Sequence, residues 1–353
     1  LHIAMVSIFP AFLYMGTIYL FVHIVAMKQG MAGLSADELP QVGRVLRDGW
    51  QFLVPLVVLV WLLVQTVSPM RVGFWAILSV VAVTGGRAAI DLAARRAGAA
   101  AWGAAALRGG RLVLAALALG ARNAVAVSMA CAVAGILVGV VGLTGLGLKF
   151  SSLMLAFSGG NLVLALILVL LASLVLGLGL PVTASYIVLI VLVGPALTQD
   201  FGVPLLIAHL VVFWYSQDSN VTPPVALAAF AGAAIAGSKP LETSVQAWKF
   251  AKGLYLIPLF MVYNPEIILG GPLPLVVFSG VVACIAMAGF ASAIEGYLFA
   301  PMPAWARLAI VPATVAIFAP SLAAEIAGAA VILGVLGLNA LEGRRARTPG
   351  LSP

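Results

Sequence analysis

Long apolar stretches separated by short polar clusters organise this chain. They run over Ile3–Met27, Gln51–Val67, Gly73–Thr84, Ala124–Leu146, Leu162–Leu197, Val203–Gly237, Leu254–Leu269, Leu275–Phe299 and Ala309–Ala340. Their lengths predict bilayer-crossing helices, and the lack of alternation argues against the strands of a membrane barrel. Two stretches carry an internal interruption. Leu162–Leu197 breaks at GLGLPVT (Gly177–Thr183), and Val203–Gly237 breaks at SQDSNVTPP (Ser216–Pro224). Such a break frees backbone N–H and carbonyl groups at membrane depth, where unpaired polar groups are costly. It persists only where buried protein, a cavity or a bound ion satisfies them. Broken helices near the bilayer midplane hold substrates and coupling ions in many secondary transporters.

Composition supports the membrane reading: 63% of residues are hydrophobic and 8% charged, with a mean hydropathy of +1.19. Soluble domains carry roughly 25% charged residues. The 353 residues have room for about ten membrane-embedded, mostly helical elements. The net charge of +7 does not point to nucleic acid, because the basic residues sit as topology signals. Arg87, Arg95, Arg96, Arg108, Arg111 and Arg122 against Asp91 mark 87–123 as a basic, amphipathic cytoplasmic region. Lys239, Lys249, Lys252, Arg307 and the arginines of EGRRARTP mark further inside positions. Helices of 1–86 then precede the basic region. A transport-type unit occupies 124–252, and terminal helices with a short basic tail fill 253–353. In this scheme Leu162–Leu197 is a re-entrant hairpin of two half-length helices. Val203–Gly237 is a discontinuous helix, Ala309–Ala340 divides near Pro320, and the C-terminus is cytoplasmic.

The candidate chemistry lies at the two breaks. Gly177 and Gly179 permit close backbone approaches, Pro181 interrupts a helix, and Thr183 and Ser185 add hydroxyl oxygens. Carbonyls and hydroxyls suffice to hold a sodium ion, although Gly and Pro also mark simple packing breaks. The second break gathers Ser216, Gln217, Asp218, Ser219, Asn220 and Thr222 ahead of Pro223 and Pro224. Asp218 is an intramembrane ionisable residue and so a functional candidate. It can coordinate Na⁺, exchange a proton or anchor the loop. Cys131 and Cys284 read as small buried hydrophobes, and three scattered histidines make no metal site. Trp248 reads as an interfacial or packing residue, and Glu325 as a helix-pairing carboxylate. No GxxxxGK[ST] pattern supplies ATP binding, so an ion gradient is the expected energy source. Competing readings are a membrane enzyme using Asp218, which lacks a second acid, base or nucleophile nearby, and a non-transporting scaffold.

GLGLPVTASYIVLIVLVGPAL, then AHLVVFWYSQDSNVTPPVALAAFAGAAIAG, then AWKFAKGLYLIPLFMVYNPEIIL together resemble the large permease subunit of tripartite ATP-independent periplasmic (TRAP) transporters. They look closest to the fused permease branch that works with TAXI-type binding proteins. The resemblance spans roughly residues 1–270 and is strongest over 175–265. It implies an all-α polytopic, elevator-type secondary transporter of the bacterial inner membrane. That carrier imports small organic anions, such as carboxylates, with Na⁺ as coupling ion and no organic cofactor. The expected partners are a periplasmic solute-binding protein and membrane lipid. By resemblance, Gly179, Pro181, Thr183, Asn220, Thr222 and Pro223 line the substrate site. Gly177, Thr183, Ser185, Asp218, Ser219, Asn220 and Thr222 form the Na⁺ site. The SQD triplet replaces the less polar residues expected in relatives. The first hairpin, first Pro-Pro broken helix and small-subunit helices of the family have no counterpart here. The chain is therefore expected to be the second half of an inverted repeat, completed by fused or separate segments.

Overall fold

A computed structural model describes residues 2–347 apart from 32, 34, 36–38, 40, 179, 181, 225 and 320. Every regular element among the described residues is helical. Six helical stretches are long and apolar enough to span a membrane: His2–Lys28, Pro69–Ala94, Ala99–Arg122, Val182–Asp200, Leu273–Glu295 and Leu322–Arg345. Cys131–Thr144 and Leu146–Ser158 reach that length and apolarity only as a pair, bent by 79°, the shape of a broken span or of a re-entrant loop. Trp50–Val64, Leu162–Gly177, Leu227–Ala236 and Ala304–Ile317 are shorter apolar helices. The protein is thus all-α and polytopic.

The chain divides into two compact units. One is built on Gly33–Ser128. After α1 (His2–Lys28), it begins with the short α2 (Val42–Gly49) and a 3₁₀ turn at Trp50–Phe52. A hairpin follows, α3 (Leu53–Val64) against α4 (Pro69–Ala94). The expected break at Ser68–Arg71 is present, with Pro69 at the first position of α4, where its missing N–H costs nothing. α4 runs ten residues past the predicted end at Thr84 and carries Arg87 and Asp91. The helix α5 (Ala99–Thr144) is continuous through 46 residues, about 69 Å at 1.5 Å per residue. No helix end marks the division expected at 123/124. The Ala-rich sequence there contains no proline, and its arginines are good helix formers.

The second unit joins α1 from Val6 onward to the chain from Met129. Its elements are α6 (Leu146–Ser158), α7 (Leu162–Gly177), α8 (Val182–Pro195), α9 (Leu205–Ser216), α10 (Leu227–Ala236), α11 (Pro240–Phe250), α12 (Gly253–Tyr263), α13 (Leu273–Glu295), α14 (Ala304–Ile317) and α15 (Leu322–Arg347). α1 illustrates the membrane habit. Leu13, Phe21 and Ile24 face the core, while Ile8, Phe12, Met15 and Tyr19 are exposed. A helix apolar on both faces suits protein on one side and lipid on the other. Cys131 and Cys284 are exposed rather than buried, which corrects the sequence reading. A thiol is apolar enough to face acyl chains, so an apolar run need not turn it inward.

One core holds α1 and α6–α9 with α12–α15, centred on Val169, Leu189, Leu197, Val211, Ile257, Phe260, Met287 and Ile332. With little hydrophobic drive between helices in lipid, small residues permit the close packing. A Cβ on Gly328 of α15 would lie 2.9 Å from Ile317 Cγ1 of α14. Glu325 accepts from Asn264 Nδ2 at 2.9 Å, so it pairs α15 with the end of α12. Asn339 fastens the turn between α13 and α14 to α15. Its Oδ1 accepts from the backbone N–H groups of Phe299 (3.0 Å) and Ala300 (3.3 Å), and its Nδ2 donates to the Ala300 carbonyl at 3.0 Å.

Candidate functional site at two helix interruptions

The two interrupted segments form α7–α8 and α9–α10. α7 begins at an Asn161 cap, whose side chain accepts from the Val163 and Leu164 N–H groups, and stops at Gly177. α8 starts at Val182, and a π-helical turn over Ala196–Asp200 extends it. The arms are therefore unequal: 16 residues in α7 and 19 residues over Val182–Asp200. Two half-length helices were expected. The extended second arm, about 28 Å, reaches the length of a hydrocarbon core. α9 and α10 are the half-length pieces, 12 and 10 residues, separated by a 3₁₀ turn at Gln217–Asn220 and by Pro223 and Pro224.

The interruptions meet. The Gln217–Asn220 turn packs against both α7 and α8, and the closest approach is at Gly177. A Cβ built there would stand 2.8 Å from Ser219 Cβ, so any side chain at 177 displaces the turn. On α7 the buried positions Val169, Ser173 and Gly177 recur every fourth residue and form one stripe. Ser173 Oγ and, on α8, Ser185 Oγ are buried without hydrogen-bond partners. Tyr186 OH and His209 Nδ1 lie 2.7 Å apart and tie α8 to α9.

The second break is cross-linked by its own side chains. Ser216 Oγ donates to the Val212 carbonyl at 2.8 Å, and Ser219 Oγ to the Ser216 carbonyl at 3.0 Å. Asn220 Nδ2 reaches Gln217 Oε1 at 3.5 Å. Asp218 is 1% exposed. Its Oδ2 accepts from Thr222 Oγ1, and its Oδ1 accepts from Tyr255 OH at 2.8 Å. Its carbonyl accepts from the Val221 and Thr222 N–H groups at 3.1 and 2.9 Å. The bond between Pro223 and Pro224 is cis.

A second layer backs the carboxylate. Tyr255 OH also accepts from Trp248 Nε1 at 2.6 Å. Lys252 Nζ sits 3.3 Å from the centroid of the Trp248 ring and 4.8 Å from that of Tyr255. These residues tie the corner between α11 and α12 to the break in α9–α10. Sequence reasoning missed this layer, taking Trp248 for a packing residue and Lys252 for a topology signal. The available clue was the local clustering of Trp248, Lys252 and Tyr255 within eight positions of the sequence, although they straddle the corner between two helices rather than sharing one face.

Of the predicted site residues, Gly177, Ser219, Asp218 and Thr222 are brought into one packed region. Asn220 lies in the same turn, and Pro223 follows it. Ser185 is buried one turn into α8, while Thr183 is exposed. Gly179 and Pro181 lie outside the described residues. Among the described residues no group of three or more His, Cys, Asp or Glu side chains could hold a metal ion.

Residues 1–267 match the family described as tripartite ATP-independent periplasmic transporter, DctM component. The match covers most of the chain, and the chain belongs to this family. It is therefore a multi-pass permease of the TRAP type, a transport protein and not an enzyme. Comparison with the curated proteins and with the solved structures returns no match.

Proposed function

We propose that this chain is the large-permease portion of a Na⁺-coupled TRAP transporter of the fused, TAXI-associated branch, importing small organic anions such as carboxylates. It works in a bacterial inner membrane with its C-terminus cytoplasmic. A periplasmic binding protein delivers the substrate. The pair α7–α8 and the broken helix α9–α10 form one hairpin-and-broken-helix unit of an elevator carrier. An N-terminal permease half and small-subunit helices, fused or separate, complete it.

The observation that carries this reading is the contact of the two interruptions at Gly177 and Ser219. A site split between two broken elements is how inverted-repeat carriers hold substrate and ion. The donor set suits a hard cation. It offers hydroxyls and backbone carbonyls, with the unpartnered Ser185 Oγ among them. Gly177, Ser185, Ser219, Asn220 and Thr222 are the residues that would hold Na⁺, and the substrate lies beside Thr183, Asn220 and Pro223. Asp218, with both carboxylate oxygens already engaged, is assigned to positioning the break rather than to direct coordination.

The test is Na⁺-gradient-driven uptake of labelled organic acids into proteoliposomes. These contain the permease completed by its N-terminal and small-subunit segments, together with its binding protein. Uptake that collapses without the Na⁺ gradient supports the proposal. Gradient-independent uptake, or none despite verified binding-protein docking, overturns it.

A further inference from the structure

The terminal helices α13 and α14, which lie past the family match ending at residue 267, together with α12 and the start of α7, which lie within it, shape a groove of about 630 Å³. Its walls are almost wholly apolar, with Leu259, Phe290, Leu308, Val311, Val315 and Phe318 among them. Arg307 stands at one end, in the first turn of α14. Its Nε donates to the Ala293 carbonyl at 2.7 Å, which fixes the guanidinium on the last turn of α13. Two other cations gather at this helix end and both are engaged there. Lys249 Nζ lies 2.7 Å from the Glu295 carboxylate, and Lys28 Nζ donates to the Glu295 carbonyl at 2.8 Å. Arg307, by contrast, has no carboxylate partner among the described residues and is exposed.

We propose that this groove is a binding site for one anionic glycerophospholipid. The phosphate sits on the Arg307 guanidinium, and an acyl chain lies along α14. The charge is complementary, because a basic side chain at the mouth of an apolar cleft between membrane helices is the pattern that captures anionic headgroups. The N-terminus of α14, at Ala304 on the groove wall, adds a positive helix end on the same side. The depth also agrees. From Ala304 to Phe318 the helix rises about 21 Å, enough for a tail crossing one leaflet's half of a hydrocarbon core about 30 Å thick. Trp305, exposed one position into α14, suits the headgroup level at which Arg307 would lie.

Native mass spectrometry of the full chain, released from a neutral detergent with equimolar dioleoylphosphatidylglycerol and dioleoylphosphatidylcholine, tests the assignment. The expected spectrum shows one retained lipid per chain, with phosphatidylglycerol favoured about fivefold, the effect of a single basic side chain near an anionic group. Arg307→Gln should equalise the two lipids. Leu308→Trp, which fills the groove from an outward position and leaves the cation in place, should remove the retained adduct. Equal retention by the unaltered chain overturns the proposal, as does a preference that survives Arg307→Gln or an adduct that survives Leu308→Trp. A dimer whose formation excludes lipid would assign the groove to a second copy and overturn it as well.

Discussion

The interruption after α7 and the one after α9 solve the same problem by opposite means. At Gly177 the chain provides a bare backbone, and the neighbouring turn occupies the space a side chain would take. At Ser216–Thr222 the chain provides an excess of polar side chains, which bond back to their own backbone and to Asp218. One break is open by default and held shut by packing. The other is held in shape by hydrogen bonds and buries a carboxyl group to do so. A pair of this kind is complementary: the polar turn needs a smooth surface to approach, and the glycine end needs a neighbour that fills it.

Adding bulk to the bare side should break this complementarity with the largest effect. Gly177→Leu drives a side chain into Ser219, and overpacking of this kind costs about 1–3 kcal/mol. Uptake by the completed permease is expected to fall to background. Ser219→Gly in the same protein removes the opposing Cβ, so a partial return of uptake would locate the fault at that contact. Asp218→Ala attacks the polar side and leaves the Tyr255 and Thr222 hydroxyls without their acceptor, at about 1–3 kcal/mol. A lower detergent melting temperature and reduced uptake are expected. Asp218→Asn sharpens the point, because a positioning role predicts an unchanged Na⁺ concentration for half-maximal uptake, whereas direct coordination raises it. Tyr255→Phe removes the hydroxyl's hydrogen bonds to Asp218 and from Trp248, each worth about 1 kcal/mol. Its cost should shrink in an Asp218→Ala background, as a double-mutant cycle reads out. Ser185→Ala is expected to have the smallest effect on melting temperature, since its hydroxyl has no partner to lose. A higher Na⁺ requirement in that variant would place the hydroxyl at the ion.

The positions of these breaks were legible because they depend on local chemistry. Glycines, prolines and a burst of polar residues inside apolar runs announce themselves in one dimension, and the helices end at Gly177 and Ser216 as that chemistry dictates. Helix length was less legible. The π-helical turn that extends α8 follows Pro195, which reads as a stop, and α5 runs on through several glycines. The backing of Asp218 was least legible, because its partner Tyr255 is 37 positions away in sequence. Only tertiary packing tells which of several membrane aromatics reaches a buried carboxylate. Exposure of the cysteines was misread for a related reason: apolar sequence does not distinguish the lipid face from the core.

Asn339 gives the turn at Phe299 and Ala300 three hydrogen bonds of the sort a neighbouring peptide group would provide. A single amide there closes the backbone hydrogen bonding of the turn. For protein engineering, that turn belongs to α15 rather than to the surface. An epitope or fluorescent domain inserted between Phe299 and Ala300 would pull apart the terminal helices, even though the turn looks like an ordinary loop on a topology diagram.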